Sequence, residues 1–140
     1  MTEIDGPDLC YSLATRRGAR FLARLYDRRL APAGLTTSQF SILSLLERHP
    51  GVSVAELARK MVMERTTLVR ALRPLQQAGW VQSEAGPGRA LKLSASEAGL
   101  RKVAEALPAW EAAQAEFETA FGADRAAGLR NDILEFTRDR

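Results

Sequence analysis

The sequence predicts a mainly α-helical fold with one small β-hairpin, and three observations carry that expectation. Apolar residues recur at helical spacing through most of the chain. Helix-start patterns stand ahead of three of those stripes: Thr36 three residues before Gln39, Ser53 before Glu56, and Ser94 before Glu97. One stretch alone, "WVQSEAGPGRALKLSA", changes to strand-like alternation around a Gly-Pro-Gly turn.

The elements follow in order. "PDLCYSLATRRGARFLARLYDRRL" places Leu9, Leu13, Phe21, Leu25 and Leu30 near helical spacing, with Pro7 suited to a first turn. Pro32 and Gly34 end that helix. "TTSQFSILSLLERH" is the second helix and stops at His49-Pro50-Gly51. "SVAELARKM" is a short third, burying Val54, Leu57, Ala58 and Met61. Two or three residues later "ERTTLVRALRPL" begins a fourth, with Leu68, Leu72 and Leu75 on one side and Ala71 beside them. Pro74 leaves the carbonyl of Arg70 without its helical partner. Gly79 ends this helix and the hairpin follows. A long helix then carries Leu100, Val103, Leu107 and Trp110, with a kink expected at Pro108. A last helix carries Leu129, Ile133, Leu134 and Phe136.

Two short helices joined by a tight turn and followed by a hairpin make a winged helix-turn-helix. A single domain is expected over residues 1–140, with the winged core at about 36–95 and dimerisation helices at about 8–31 and 96–138. The first and last helices carry more apolar surface than such a core can cover. A second copy of the chain is the expected cover, since two-fold dimers are the commonest oligomers.

Composition excludes several classes. No apolar run approaches the roughly 20 residues of a membrane span, and the acidic start "MTEIDGPDLC" lacks an apolar signal core. One cysteine makes no internal disulfide, which agrees with a reducing cytoplasm. With a single His, His49, and a single Cys there is no triad or metal cluster. No Gly-rich phosphate loop follows a strand. The expectation is therefore a non-enzymatic cytoplasmic protein with no cofactor and no metal.

Charge points to a partner. Residues 1–94 hold 14 Lys and Arg against 8 Asp and Glu, whereas residues 95–140 hold 6 against 9. The basic part contains the fourth helix, whose outer side presents Thr66, Thr67, Arg70, Arg73 and Gln77 and no acid. A merely solvated face usually mixes Glu with Lys to gain i,i+4 pairs. Guanidiniums pair bidentately with guanine, a Thr methyl can touch the thymine methyl, and both residue types hold phosphates. These five are the candidate DNA-reading residues. Arg65, toward the apolar side, is a candidate for a phosphate contact or an ion pair. Ser38, Gln39 and Ser53 at helix starts are candidate phosphate contacts, with plain capping as the alternative. Arg89 in the wing is a candidate for the minor groove or its phosphates.

"GLTTSQFSILSLL", "VSVAELARKMVMERTTLVRALRPLQQAGWV" and "LKLSASEAG" resemble, in order and spacing, the successive signatures of the MarR family of bacterial transcriptional regulators. The resemblance covers nearly the whole chain. It implies a dimeric winged-helix protein that binds palindromic duplex DNA, mostly as a repressor, and is released by a small, often phenolic, ligand or by cysteine oxidation. The wing departs from the family pattern: "EAGPGRALKL" keeps Arg89 but has no aspartate near it. "LCYSL" resembles the start of the peroxide-sensing branch, which makes Cys10 a candidate redox site, with Tyr26 a match for one of that branch's thiol-holding tyrosines. The resemblance also implies an effector cleft between the dimer helices and the winged part. Phe21, Leu25, Tyr26, Phe40, Leu43, Leu107 and Trp110 are its candidate lining, with Arg17 or Arg24 for an acidic group. The alternative is that these residues fill the core. The resulting expectation is a DNA-binding regulator released by a small aromatic ligand. A thiol sensor using Cys10, or a winged-helix protein–protein module without DNA binding, are the alternatives.

Overall fold

The computed structural model describes residues 3–138, with Arg89 by its backbone alone. Helices α1 (Tyr11–Leu30), α2 (Thr37–Arg48), α3 (Val54–Met61), α4 (Arg65–Gln77), α5 (Glu97–Phe121) and α6 (Ala123–Thr137) enclose a small antiparallel sheet. Its strands are β1 (Val52–Ser53), β2 (Val81–Ala85) and β3 (Leu91–Ala95), in the order β1-β3-β2. Among the described residues, no helix is long and apolar enough to cross a membrane.

Each boundary has a local cause. Helix α1 begins at Tyr11, later than the sequence pattern suggests. Pro7 instead sits in a separate 3-10 turn, Gly6–Leu9, and extended Cys10 caps α1 by accepting the Leu13 N–H on Sγ at 3.4 Å. At α2, Thr36 and Gln39 form a reciprocal capping box. The Asp27 carboxylate of α1 accepts the Thr37 N–H at 2.7 Å and ties the two helices together. At α3, Ser53 accepts the Glu56 N–H at 3.1 Å. The cap of α5 is Ser96, which accepts the Gly99 N–H, and not the Ser94 expected from the pattern. Ser94 lies in β3 and its hydroxyl accepts the Gly51 N–H at 3.0 Å. Helix α5 continues through Pro108.

The sheet has one strand more than the predicted hairpin. Val52 and Ser53 pair with Leu93 and Lys92. A two-residue strand carries no alternation to read, so only the tertiary contact reveals it. This pairing fastens the start of α3 to the wing.

One core unites α2, α3, α4, the sheet and the first half of α5. Ile42, Leu43, Leu46, Leu57, Leu68 and Leu75 are each 0% exposed in it. Gly99 shows how tightly α5 meets the wing: a Cβ there would stand 2.2 Å from the Trp80 carbonyl oxygen. That same carbonyl accepts the Ser96 N–H at 2.9 Å, so both contacts fix α5 against the root of β2.

Candidate nucleic-acid interface

The turn between α3 and α4 sets the geometry of the interface. Val62 closes α3 in the left-handed region, at φ 53° and ψ 48°. Its N–H reaches the Arg59 carbonyl at 3.1 Å, and the Met63 N–H reaches Ala58 at 2.9 Å. A β-branched residue in that region is strained. It is held there because Leu57, Ala58 and Leu68 on either side are locked in the core.

Burying Leu68, Leu72 and Leu75 fixes which way α4 faces. Thr66, Thr67, Arg70, Arg73 and Gln77 then lie in solvent, as does Arg65. Arg59 and Lys60, at the exposed end of α3, add two cations beside them. Among the described residues, none of Arg59, Lys60, Arg65, Arg70 and Arg73 forms an ion pair. The pairing considered for Arg65 is therefore not made among the described residues. An unpaired guanidinium row in water keeps all its donors for an external acceptor.

The remaining predicted contacts divide. Ser38 is exposed in the first turn of α2. The Gln39 side-chain oxygen is occupied by the Thr36 N–H at 3.0 Å, which leaves its amide nitrogen to donate. The Ser53 hydroxyl is engaged twice by Glu56, through its backbone and its carboxylate, both at 3.1 Å. Capping thus occupies Ser53 more fully than the other two. In the wing, the Gly86 N–H closes on the Ala90 carbonyl around the turn Pro87–Arg89, where Gly88 takes φ 69°. Arg89 stands in this turn, and its side chain lies outside the described residues. Lys92 is exposed across from Glu84 in the register. Sequence reasoning missed Lys60 and Arg59, whose signal was their place at the end of a helix that the turn turns outward.

The proposed effector set does not come together. Phe40 is 6% exposed and stacks on Trp110 at 6.1 Å between ring centroids, joined to the core with Leu43. Leu25 is 4% exposed. Tyr26 alone of the set lines a cavity of about 400 Å³ between α1, α5 and α6, with Leu22, Gln114, Phe117, Arg130 and Leu134. Its hydroxyl donates to the Gln114 side-chain oxygen. Burial, and then the Glu118 carboxylate, raise the Tyr26 pKa above its usual value, so this phenol stays neutral. Arg17, Phe21 and Arg24 line a neighbouring groove with Phe117 and Phe121. Leu107 lies on the surface. The α6 side of the cavity was not legible as lining, because its residues read only as a further apolar stripe. Cys10 is exposed at the head of α1 with a free thiol.

The family model described as the MarR family matches residues 33–90, the stretch from the end of α1 through the wing turn. The chain is 40% identical over 82 residues to the HTH-type transcriptional repressor Rv2887 of Mycobacterium tuberculosis, covering 56% of this chain and 59% of that protein. It is 31% identical over 77 residues to an uncharacterized HTH-type transcriptional regulator, YwoH, of Bacillus subtilis, covering 55% of this chain and 56% of that protein. The match thus spans less than two thirds of these curated relatives. The solved structure of the M. tuberculosis transcriptional regulator MosR in complex with DNA is 34% identical, with a TM-score of 0.76 over 92% of this chain and 95% of that one. A structure of Rv2887 with p-aminosalicylic acid is 26% identical, with a TM-score of 0.67 over 91% of this chain and 98% of that one.

Proposed function

The chain belongs to the MarR family, and we propose that it acts as a dimeric, sequence-specific regulator of transcription that binds duplex DNA. The observation that carries this reading is the face of α4: Thr66, Arg70, Arg73 and Gln77 stand outward together without an acid or an ion pair. A helix of this kind fits the major groove, where guanidiniums reach guanine edges. Arg59, Lys60, Arg65 and Ser38 then face phosphates, and Arg89 on the wing reaches the neighbouring minor groove. The complex of MosR with DNA supports the same use of this fold. A dimer places two recognition helices roughly 34–36 Å apart, or a multiple of that, on a palindromic site. The protein works in the cytoplasm, as a repressor, and no catalytic role is proposed.

Release comes from a small ligand in the cavity between α1, α5 and α6. Rv2887 has been solved with p-aminosalicylic acid, which supports an aromatic effector. Neutral Tyr26 and Gln114 offer hydrogen bonds at the inner wall and Arg130 a cation among the lining residues. Such a ligand dissociates the complex only by favouring the dimer that does not fit DNA.

The test is a mobility shift on duplex fragments from the DNA flanking the protein's own gene, at 50 and 200 mM salt (roughly the range over which phosphate contacts dominate). A retarded band that weakens steeply with salt is expected. Absence of any shift at the lower salt would replace this reading with a protein–protein module.

A further inference from the structure

One exposed residue on α4 has no place in the account so far. Val69 is 41% exposed, whereas Leu68, Leu72 and Leu75 are 0–2% exposed and Ala71 packs beside them. Valine is also a poorer helix former than Ala, Arg or Gln, so neither propensity nor burial favours it at a solvent position. Its surroundings are specific. At 100° per residue Val69 falls about 60° from Thr66 and 40° from Arg73, on the flank of the polar stripe, with buried Leu72 about 60° away on its other side. Arg65 and Arg73 lie one turn before and one turn after it, and Arg70 follows it. An apolar isopropyl group beside Thr66, Arg65 and Arg73, the two arginines without an ion pair among the described residues, is a poor water surface and a good surface for one chemical group.

That group is in the major groove. Thymine is the base that carries a methyl there, beside the N7 and O6 acceptors that a neighbouring guanine offers to arginine. We infer that Val69 reads the 5-methyl group of a thymine in each half-site while Arg70 or Arg73 reads an adjacent guanine. This makes Val69 a specificity-determining residue of the interface. The inference rests on the DNA-binding reading above and adds an apolar contact that the charge pattern alone does not contain. Removing a methyl group from such a contact is worth about fourfold in affinity per half-site, the value of one buried carbon.

The experiment uses deoxyuridine, which pairs as thymine does but lacks the methyl. A binding site is selected from a random duplex pool with the wild-type protein, then prepared with either thymine or uracil throughout. The wild type should prefer the thymine duplex by about fourfold to fifteenfold, for one or two half-sites. Val69→Ala should lose about fourfold of the preference per half-site, any remainder belonging to the methyls of Thr66 and Thr67, and Val69→Thr, which keeps one γ-methyl, should retain more of it. Exposure of the site means that neither variant should lose stability, which a thermal melt verifies. Equal binding of both duplexes by the wild type overturns the inference, and so does an unchanged preference in Val69→Ala. Failure of the wild type to select any duplex overturns the DNA-binding reading itself and this inference with it.

Discussion

Leu68, Leu72 and Leu75 on α4 and Leu129, Ile133 and Phe136 on α6 stand at the same i, i+4, i+7 spacing, yet they meet different fates. The first three are 0–2% exposed, and the second three 37–53%. The winged part closes its core within one chain, while the frame of α1 and α6 leaves its stripes open. Charge divides the other way. In the frame, Arg28 and Arg29 share Glu116, and Arg17 reaches Asp8. In the winged part, Arg59, Lys60, Arg65, Arg70 and Arg73 have no such partner among the described residues. The outer face of α4 thus lacks anions and the stripe of α6 lacks apolar cover, which is the division expected of a DNA reader carried on a dimer.

The largest effect that tests this contrast is on stability. Leu68→Ala should lower the free energy of unfolding by about 2–5 kcal/mol, because it opens a cavity in a closed core. Ile133→Ala should cost far less in dilute protein, where its side chain faces water, and should instead raise the dissociation constant of the dimer. Denaturant unfolding at two protein concentrations, with sedimentation, separates the two. Equal loss in both variants under dissociating conditions would break the comparison.

Next in size is DNA affinity. Arg70→Ala should cost about 1–3 kcal/mol on a selected site and relax its sequence preference. Arg29→Ala removes a guanidinium already paired across to Glu116 at 2.8 Å and should leave DNA binding unchanged. Titration of both variants against one labelled duplex decides it. A comparable loss from Arg29→Ala would mean that the division of free and paired cations does not track the interface.

Most of the winged part was legible from the sequence because its signals are local. Thr36 with Gln39, and Ser53 with Glu56, announce helix starts through bonds only three residues long. The stripe of α4 is buried where its period says. What escaped reading depends on contacts between distant segments. The pairing of Val52 with Leu93 is one case. The choice of Ser96 over Ser94 is another: two serines stand near the same start, and Ser94 is drawn into β3 by its pairing with Gln82 and by Gly51. The placement of the expected effector lining depends on packing in the same way. Aromatic character marks Phe40 and Trp110, but only packing tells that buried Phe40 stacks on half-buried Trp110 at the core while Tyr26 faces the cavity. The outward residues of α4 were nameable because solvent exposure on that helix follows directly from which side is buried.

A smaller effect concerns the joint that aims α4. Val62 sits 69% exposed in the left-handed region, so its side chain contributes little packing while its β-branching strains the backbone. Val62→Gly removes that strain, worth roughly 1–3 kcal/mol, and adds chain entropy to the unfolded state of about 0.5–1 kcal/mol. The net expectation is a gain on the order of 1 kcal/mol, read as a higher denaturation midpoint. A loss of stability would mean that the turn is held by the valine side chain rather than in spite of it.

The smallest effect is confined to alkaline pH and to the frame. Tyr26 is the group whose pKa is raised, first by burial between α1 and α5 and then by the Glu118 carboxylate. Its unfolded value is about 10. Below that pH the phenol is neutral in both states and adds no pH dependence. Above it, the unfolded chain releases a proton that the folded chain still holds, so stability falls as pH rises through the interval up to the folded pKa. Tyr26→Phe should therefore flatten the loss of stability above about pH 10 while leaving the slope between pH 6 and 9 as it was. Unfolding midpoints of the two proteins, measured at matched salt across that range, give the comparison directly. An identical alkaline slope in Tyr26→Phe would mean that the ring is solvated well enough to ionise freely, and would remove the neutral donor from the inner wall of the cavity.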